Sequence, residues 1–327
     1  MNKEKRNFYT DFDGGLGYLI VIAVPILIGL ILSMIFTPIA TSQGLESFAE
    51  SPLLYSLYLI IVNGSLLGVF FVYNKVTRTN YVCAGLVKFK FGWVNLIVSI
   101  VVALITLFGS LYLVNYLSSL MEMIGYNPDS SLPLPLSNGG WLVLNLFLLA
   151  VVPAICEELV FRGIVFNGLR KFGNVGAIFI SALLFALAHG SAMQFFYQFI
   201  LGLVLAAVVL KTGSIVASMV THFVNNATVV VYNYIILNMG LAEAQTFTPL
   251  VIVLSFLVAI LAGVVVWLIL RGVKERKGEN EEISSNETYN QIYSQTDRKF
   301  SSKASMLMFF LGLGLSVLIW CLGTFLG

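Results

Sequence analysis

The sequence predicts an all-α fold, a polytopic transmembrane helical bundle of about nine spans, and three observations carry that prediction. Of 327 residues, 58% are hydrophobic and only 10% charged, with a mean hydropathy of +0.93, far from the balance of a soluble domain. Apolar runs of about the length that crosses a bilayer recur along the whole chain. The eighteen Lys and Arg residues fall only in alternate connections, as a membrane topology requires.

Taken in order, the runs lie at about 16–40, 54–74, 93–120, 141–161, 175–190, 194–210, 214–237, 249–270 and 305–325. Basic residues precede the first run (Lys3, Lys5, Arg6) and lie between the second and third (Lys75, Arg78, Lys88, Lys90). They recur at Arg170 and Lys171, at Lys211, and from Arg271 to Lys303. The connections 41–53, 121–140, 191–193 and 238–248 have none. The amino terminus is therefore expected in the cytoplasm and the carboxyl terminus outside.

The chain divides into N-terminal helices 1–3 with their loops (1–140), a central core of helices 4–7 (141–237), helix 8 (238–271), a polar linker (272–304) and an appended ninth helix (305–327). The linker is too hydrophilic to pack alone, and the ninth helix, without ionisable residues, reads as an anchor. Its first apolar run has no small-residue cleavage site and reads as a span, not a leader. A net charge of +2 with no basic stripe leaves no case for nucleic acid. Cys83, Cys156 and Cys321 lie in separate segments and offer neither a disulfide framework nor a metal spacing.

The densest chemistry sits in Pro153-Ala-Ile-Cys-Glu-Glu-Leu-Val-Phe-Arg-Gly163. Two adjacent carboxylates on an apolar helix are costly and mark a functional site. Glu158 and Arg162, four apart in acid-before-base order, suit a scaffold ion pair. Glu157 faces about a hundred degrees away and has no cation at helical spacing, which makes it the candidate general base. Pro153 cannot donate to the Leu149 carbonyl, so a kink and a polar group to be satisfied, with water entering, are expected one turn before Glu157.

The two histidines also lie in apolar runs, as Phe185-Ala-Leu-Ala-His189 and His222-Phe-Val-Asn-Asn226. Helical i, i+4 spacing puts His222 and Asn226 on one face, with Phe185 one turn below His189. Glu157, His189 and His222 are expected to point into one wet pocket. For His189 to reach that depth, its helix must start below the inner interface or tilt. All four Asp residues, at 11, 13, 129 and 297, fall in predicted loops, so no aspartate dyad is expected, and neither a His-Glu-x-x-His helix nor a Gly-x-Ser-x-Gly elbow occurs.

Glu157-Glu158-x-x-x-Arg162, Phe185-x-x-x-His189 and His222-x-x-x-Asn226, in this order on three helices, resemble the three motifs of the CAAX protease and bacteriocin-processing (CPBP) intramembrane proteases, which include the CAAX prenyl endopeptidases. The resemblance covers roughly residues 141–237. It implies a helical-bundle endopeptidase whose cavity opens to the cytoplasmic face. Glu157 with His189 would activate water, and His222 with Asn226 would stabilise the oxyanion.

Peptide hydrolysis needs a base, an oxyanion donor set and an acid for the leaving amine, and these residue types can supply them. Glu157, His189 and His222 could alternatively form a His2Glu zinc site, so Zn2+ is the one cofactor left open. The missing His-Glu-x-x-His spacing favours no obligatory tightly held zinc. The implied partners are a peptide or membrane-protein substrate and the bilayer, in a prokaryotic cell membrane or, alternatively, the endoplasmic reticulum. A proton-coupled transporter would be expected to show an inverted repeat with broken helices in both halves, which is not seen. A silent assembly factor would be free to lose one motif member, and none is lost.

Overall fold

A computed structural model describes residues 6, 8–86, 93–123, 134–239 and 300–325, and among them the chain is helical with no strand. Eight helices account for it: α1 (Asp11–Ser42), α2 (Pro52–Thr77), α3 (Trp93–Met123), α4 (Gly139–Phe172), α5 (Asn174–Ala188), α6 (Ala192–Thr212), α7 (Ile215–Met239) and α8 (Lys303–Phe325). Of these, α1, α2, α4, α6, α7 and α8 are long and apolar enough to cross a membrane, and two shorter apolar stretches lie at Ile97–Ser110 and Asn174–Ala188. The predicted run at 249–270 and the linker up to residue 299 lie outside the described residues. Leu27, Leu30, Ile31 and Met34 of α1 are each more than half exposed, a surface suited to lipid and not to water.

The predicted boundaries are close except at α4. Its apolar run ends near 161, but the helix continues to Phe172. The extra turns carry Arg162, which is buried at 1% exposure, so the charge that ends the hydropathic run is satisfied inside the protein. Two π segments, Leu146–Val151 and Phe161–Phe166, interrupt α4 on either side of the turn bearing the glutamates, a departure often found at functional sites. Asn167 bridges the second segment: its Nδ2 donates to the Arg162, Gly163 and Cys83 carbonyls at 2.9, 3.1 and 3.2 Å.

One end of the bundle gathers the connections that the basic residues assign to one side. Arg6 forms two bonds to Asp13 at 3.1 and 2.9 Å and a third to the Thr79 hydroxyl at 3.0 Å, and its backbone pairs with Arg78 and Asn80. Lys171 lies 3.9 Å from Asp11, and the Ile215 N–H donates to the Gly85 carbonyl. Burial pushes the neighbouring Tyr9 phenol up from its ordinary range, and the Cys83 thiol likewise, so both stay protonated at neutral pH. Asp11 and Asp13 are not in a loop, as predicted, but in the buried first turn of α1. Thr10 and Asp13 form a capping box there, and the two carboxylates have separate cationic partners.

α1 crosses α4 where glycines face each other. A Cβ on Gly168 would lie 2.5 Å from the Gly14 nitrogen, so only glycine permits this approach. Such small-residue crossings let backbones touch where no hydrophobic force drives helices together.

Candidate active site

The chemistry of the site begins with a missing hydrogen bond. Pro153 leaves the Leu149 carbonyl without its helical donor, and the Asn226 Nδ2 of α7 supplies one at 3.1 Å. The carbonyl expected to admit water is thus satisfied by protein. The Asn226 Oδ1 accepts from Asn225 Nδ2 at 3.2 Å, and the Asn225 Oδ1 accepts from the Tyr197 hydroxyl. A polar chain therefore runs from α6 through α7 to the turn of α4 that precedes Pro153.

If this bond replaces the one proline removes, Asn226→Leu should destabilise the protein by about 1–3 kcal/mol, the usual cost of orphaning a buried polar group. In a Pro153→Ala background, where residue 153 regains its N–H, the same change should cost measurably less. Thermal unfolding of the four proteins of this cycle in detergent reads the coupling. Equal costs in both backgrounds would show that Asn226 does not compensate for the bond that proline removes.

One turn further along α4, Glu158 is fully buried. Its Oε1 accepts from Arg162 Nη1 at 2.8 Å and from His222 Nδ1 at 3.2 Å, and its Oε2 accepts from the Ser218 hydroxyl. The Arg162 guanidinium lies 4.3 Å above the Phe185 ring, and its Nη2 is 3.4 Å from the Gly202 carbonyl. Phe185 meets His189 at 4.8 Å, His222 at 5.9 Å and Phe161 at 5.1 Å between ring centroids, all edge to face. A carboxylate can only accept, so His222 carries its proton on Nδ1 and, when neutral, presents Nε2 as a bare lone pair.

Glu157 stands apart from this frame. Its Oε2 is buried and has no hydrogen-bond partner. With His189 it lines a cavity of about 210 Å³ bounded also by Ile22 of α1, Asn63 and Leu66 of α2, Leu187 of α5, and Ser316 and Ile319 of α8. His189 caps the C-terminus of α5, and its Nδ1 lies 2.8 Å from the Phe185 carbonyl. A carbonyl cannot donate, so this bond places the proton on Nδ1 and leaves Nε2 as base or acceptor.

The depth at which His189 meets Glu157 follows from the long α4. Glu157 precedes Gly173 by sixteen residues and His189 follows it by sixteen, about 24 Å along each helix. Gly173, at φ +87°, makes the turn between antiparallel α4 and α5. Arms of equal residue count are consistent with Glu157 and His189 lining the same cavity.

The structure thus joins the predicted residues in two groups instead of one. Glu157 and His189 share the cavity, whereas His222 is 2% exposed, turned to Glu158, and with Asn226 outside the cavity lining among the described residues. The Phe185 edge lies against both imidazoles. Glu157, His189 and His222 accordingly do not close into a group able to hold a metal ion, and as they stand these residues do not fit a bound zinc.

Sequence reasoning also missed Ser218, Tyr197, Asn225, Asn63, Ser316 and Ile319. Ser218 was within reach: it lies four residues before His222 and extends the His222-x-x-x-Asn226 stripe by a turn. The others carry no local mark, because only the packing of distant helices brings them to the site.

Fold and site define an integral membrane protein in which a carboxylate and an imidazole line one cavity. Residues 139–228, less than half of the chain, match the protein family described as Type II CAAX prenyl endopeptidase Rce1-like, and this segment is what the chain shares with that family. The match covers α4 to the middle of α7 and leaves α1, α2, α3 and α8 outside it. No curated protein and no solved structure matches the chain.

Proposed function

We propose that the protein is an intramembrane endopeptidase that hydrolyses a peptide bond of a membrane-associated or lipidated peptide or protein. The single observation that carries this reading is the unpartnered Glu157 Oε2 lining the same cavity as His189. In the proposed reaction a water held between Glu157 and His189 Nε2 gives a proton to Glu157 as its oxygen attacks the scissile carbonyl carbon. The C–N bond then breaks, and the proton passes to the leaving amine. Positioned acid–base groups of this kind supply roughly 10²- to 10⁴-fold of rate.

His222 and Asn226 are the proposed oxyanion donors. Asn226 retains a second amide N–H, and His222 donates through Nε2 when doubly protonated, with the Glu158 carboxylate as counter-ion. Neither lines the cavity, and His222 packs against Phe185 at 5.9 Å between ring centroids, so the reading requires that ring to move as substrate enters. The chain is proposed to cross the membrane about nine times, with its amino terminus cytoplasmic and carboxyl terminus outside, consistent with the gathering of Arg6, Thr79, Lys171 and Ser301 at one end.

The test is reconstitution of the purified chain in liposomes with a peptide library, with and without a chelator, followed by mass spectrometry of the products. Discrete cleavage products that persist with chelator are expected. Absence of products under both conditions would overturn the hydrolase reading, and products lost only with chelator would overturn the metal-free form of it.

A further inference from the structure

The last helix lies outside the family segment and reads from the sequence as an anchor, yet it is docked along its length. At its base the Ser301 N–H and hydroxyl donate to the two Asp11 oxygens at 2.7 and 2.6 Å. Along the α1 contact the backbones touch: a Cβ on Gly15 would lie 2.8 Å from the Phe309 nitrogen, and one on Gly312 would lie 2.9 Å from Tyr18 Cδ1. At cavity height, the Tyr18 hydroxyl reaches the Leu184 carbonyl of α5 at 3.0 Å and meets Ser316 Oγ at 2.6 Å. Each hydroxyl has one proton and each also reaches a carbonyl, Leu184 for Tyr18 and Gly312 at 3.0 Å for Ser316, so either can be the donor between them. Tyr18 thereby ties α8 to the helix that carries His189.

Ser316 and Ile319 complete the cavity that Glu157 and His189 line. Ile319 Cγ2 lies 3.5 Å from where a Cβ on Gly190 would sit, one residue beyond His189. Ile319 follows Lys303 by sixteen residues, the same rise that separates Glu157 and His189 from Gly173. A helix serving only as an anchor needs neither the interhelical hydrogen bonds nor the close glycine contacts. The wall it forms, Ser316 and Ile319, lines the same cavity as the unpartnered carboxylate.

We propose that α8 is a specificity element of the cavity: Ser316 and Ile319 set its width, and so select by size the apolar side chain that a substrate places beside Glu157. The inference rests on the endopeptidase reading. It assigns a substrate-contacting role to a helix that the family segment does not contain.

The experiment uses the full chain in liposomes and one peptide series that differs only in a central Ala, Val, Leu, Phe or Trp. Wild type, Ile319→Ala, Ile319→Phe and Leu318→Ala are compared, Leu318 being 55% exposed on the outer face of α8. Ile319→Ala should raise kcat/KM for the larger residues relative to the smaller by roughly tenfold or more, the discrimination that a methylene or two affords an apolar pocket. Ile319→Phe should shift preference the other way, and Leu318→Ala should leave it unchanged. An unaltered preference in both Ile319 variants, with cleavage retained, would overturn the proposal while leaving the hydrolase reading intact.

A second measurement needs no cleavage. In a Cys321→Ala background, the thiol introduced by Ile319→Cys should be protected several-fold from a small charged alkylating reagent by the same peptides, and the thiol introduced by Leu318→Cys should not. Equal labelling of the Ile319→Cys variant with and without peptide would overturn the wall even if the chain cleaves nothing.

Discussion

Glu157→Gln is expected to lower peptide cleavage by roughly 10²- to 10⁴-fold, the contribution of a positioned general base, and to leave the folded protein at least as stable as wild type. Glutamine keeps the shape of the side chain and removes only its capacity to take a proton. The stability half of the expectation follows from the Oε2 atom, which is buried without a hydrogen-bond partner: a polar atom left unsatisfied away from water is a burden on the fold. Functional sites commonly retain such a burden because their chemistry needs it. Turnover and thermal unfolding in the same detergent decide the matter. Loss of activity accompanied by a lower unfolding temperature would make Glu157 a structural residue, and full activity would remove it from the chemistry.

The contrast with its neighbour shows what one chain can disclose. That Glu157 and Glu158 serve different ends was legible because helical geometry turns them about a hundred degrees apart and only Glu158 has a cation four residues on. The 2.8 Å pair of Glu158 with Arg162 follows from that spacing. The division of the histidines was not legible. His189 and His222 look equivalent in an apolar run, and only the packed bundle shows one tied to a backbone carbonyl beside the cavity and the other to Glu158. Local pattern assigns a residue to a helix face, whereas the neighbour of that face depends on how helices far apart in sequence cross.

The role of α8 was hidden for a related reason. Hydropathy registers that Lys303–Phe325 can cross a membrane, but its Gly312 and Ser316 acquire meaning only opposite Gly15 and Tyr18, some three hundred residues earlier. The length of α4 was misjudged on the same ground. A charged residue ends an apolar run in any hydropathy reading, yet Arg162 is buried because Glu158, Gly202 and Phe185 enclose it. Intramembrane charges with partners are invisible to a rule that weighs residues one at a time.

Arg162→Ala is expected to carry the largest stability cost, about 3–5 kcal/mol, because it strands a carboxylate that has no contact with water. The fully buried Glu158 would retain only the Ser218 hydroxyl and His222 Nδ1. Arg162→Lys should recover only part of the loss, since an ammonium cannot present the planar fork that reaches Glu158 and the Gly202 carbonyl while lying on Phe185. The double variant Glu158→Leu with Arg162→Met should be more stable than Arg162→Ala, since a buried ion pair replaced whole by apolar groups costs far less than one broken in half. Activity need not follow stability in that variant. His222 would lose the acceptor that fixes its tautomer and orientation, so cleavage should stay low when the fold has been restored. Unfolding temperature and turnover measured across these three proteins separate the two uses of Glu158, as partner of Arg162 and as support for His222. Recovery of both together would leave His222 independent of Glu158, and failure to recover stability would mean that the ion pair is not what holds the helices.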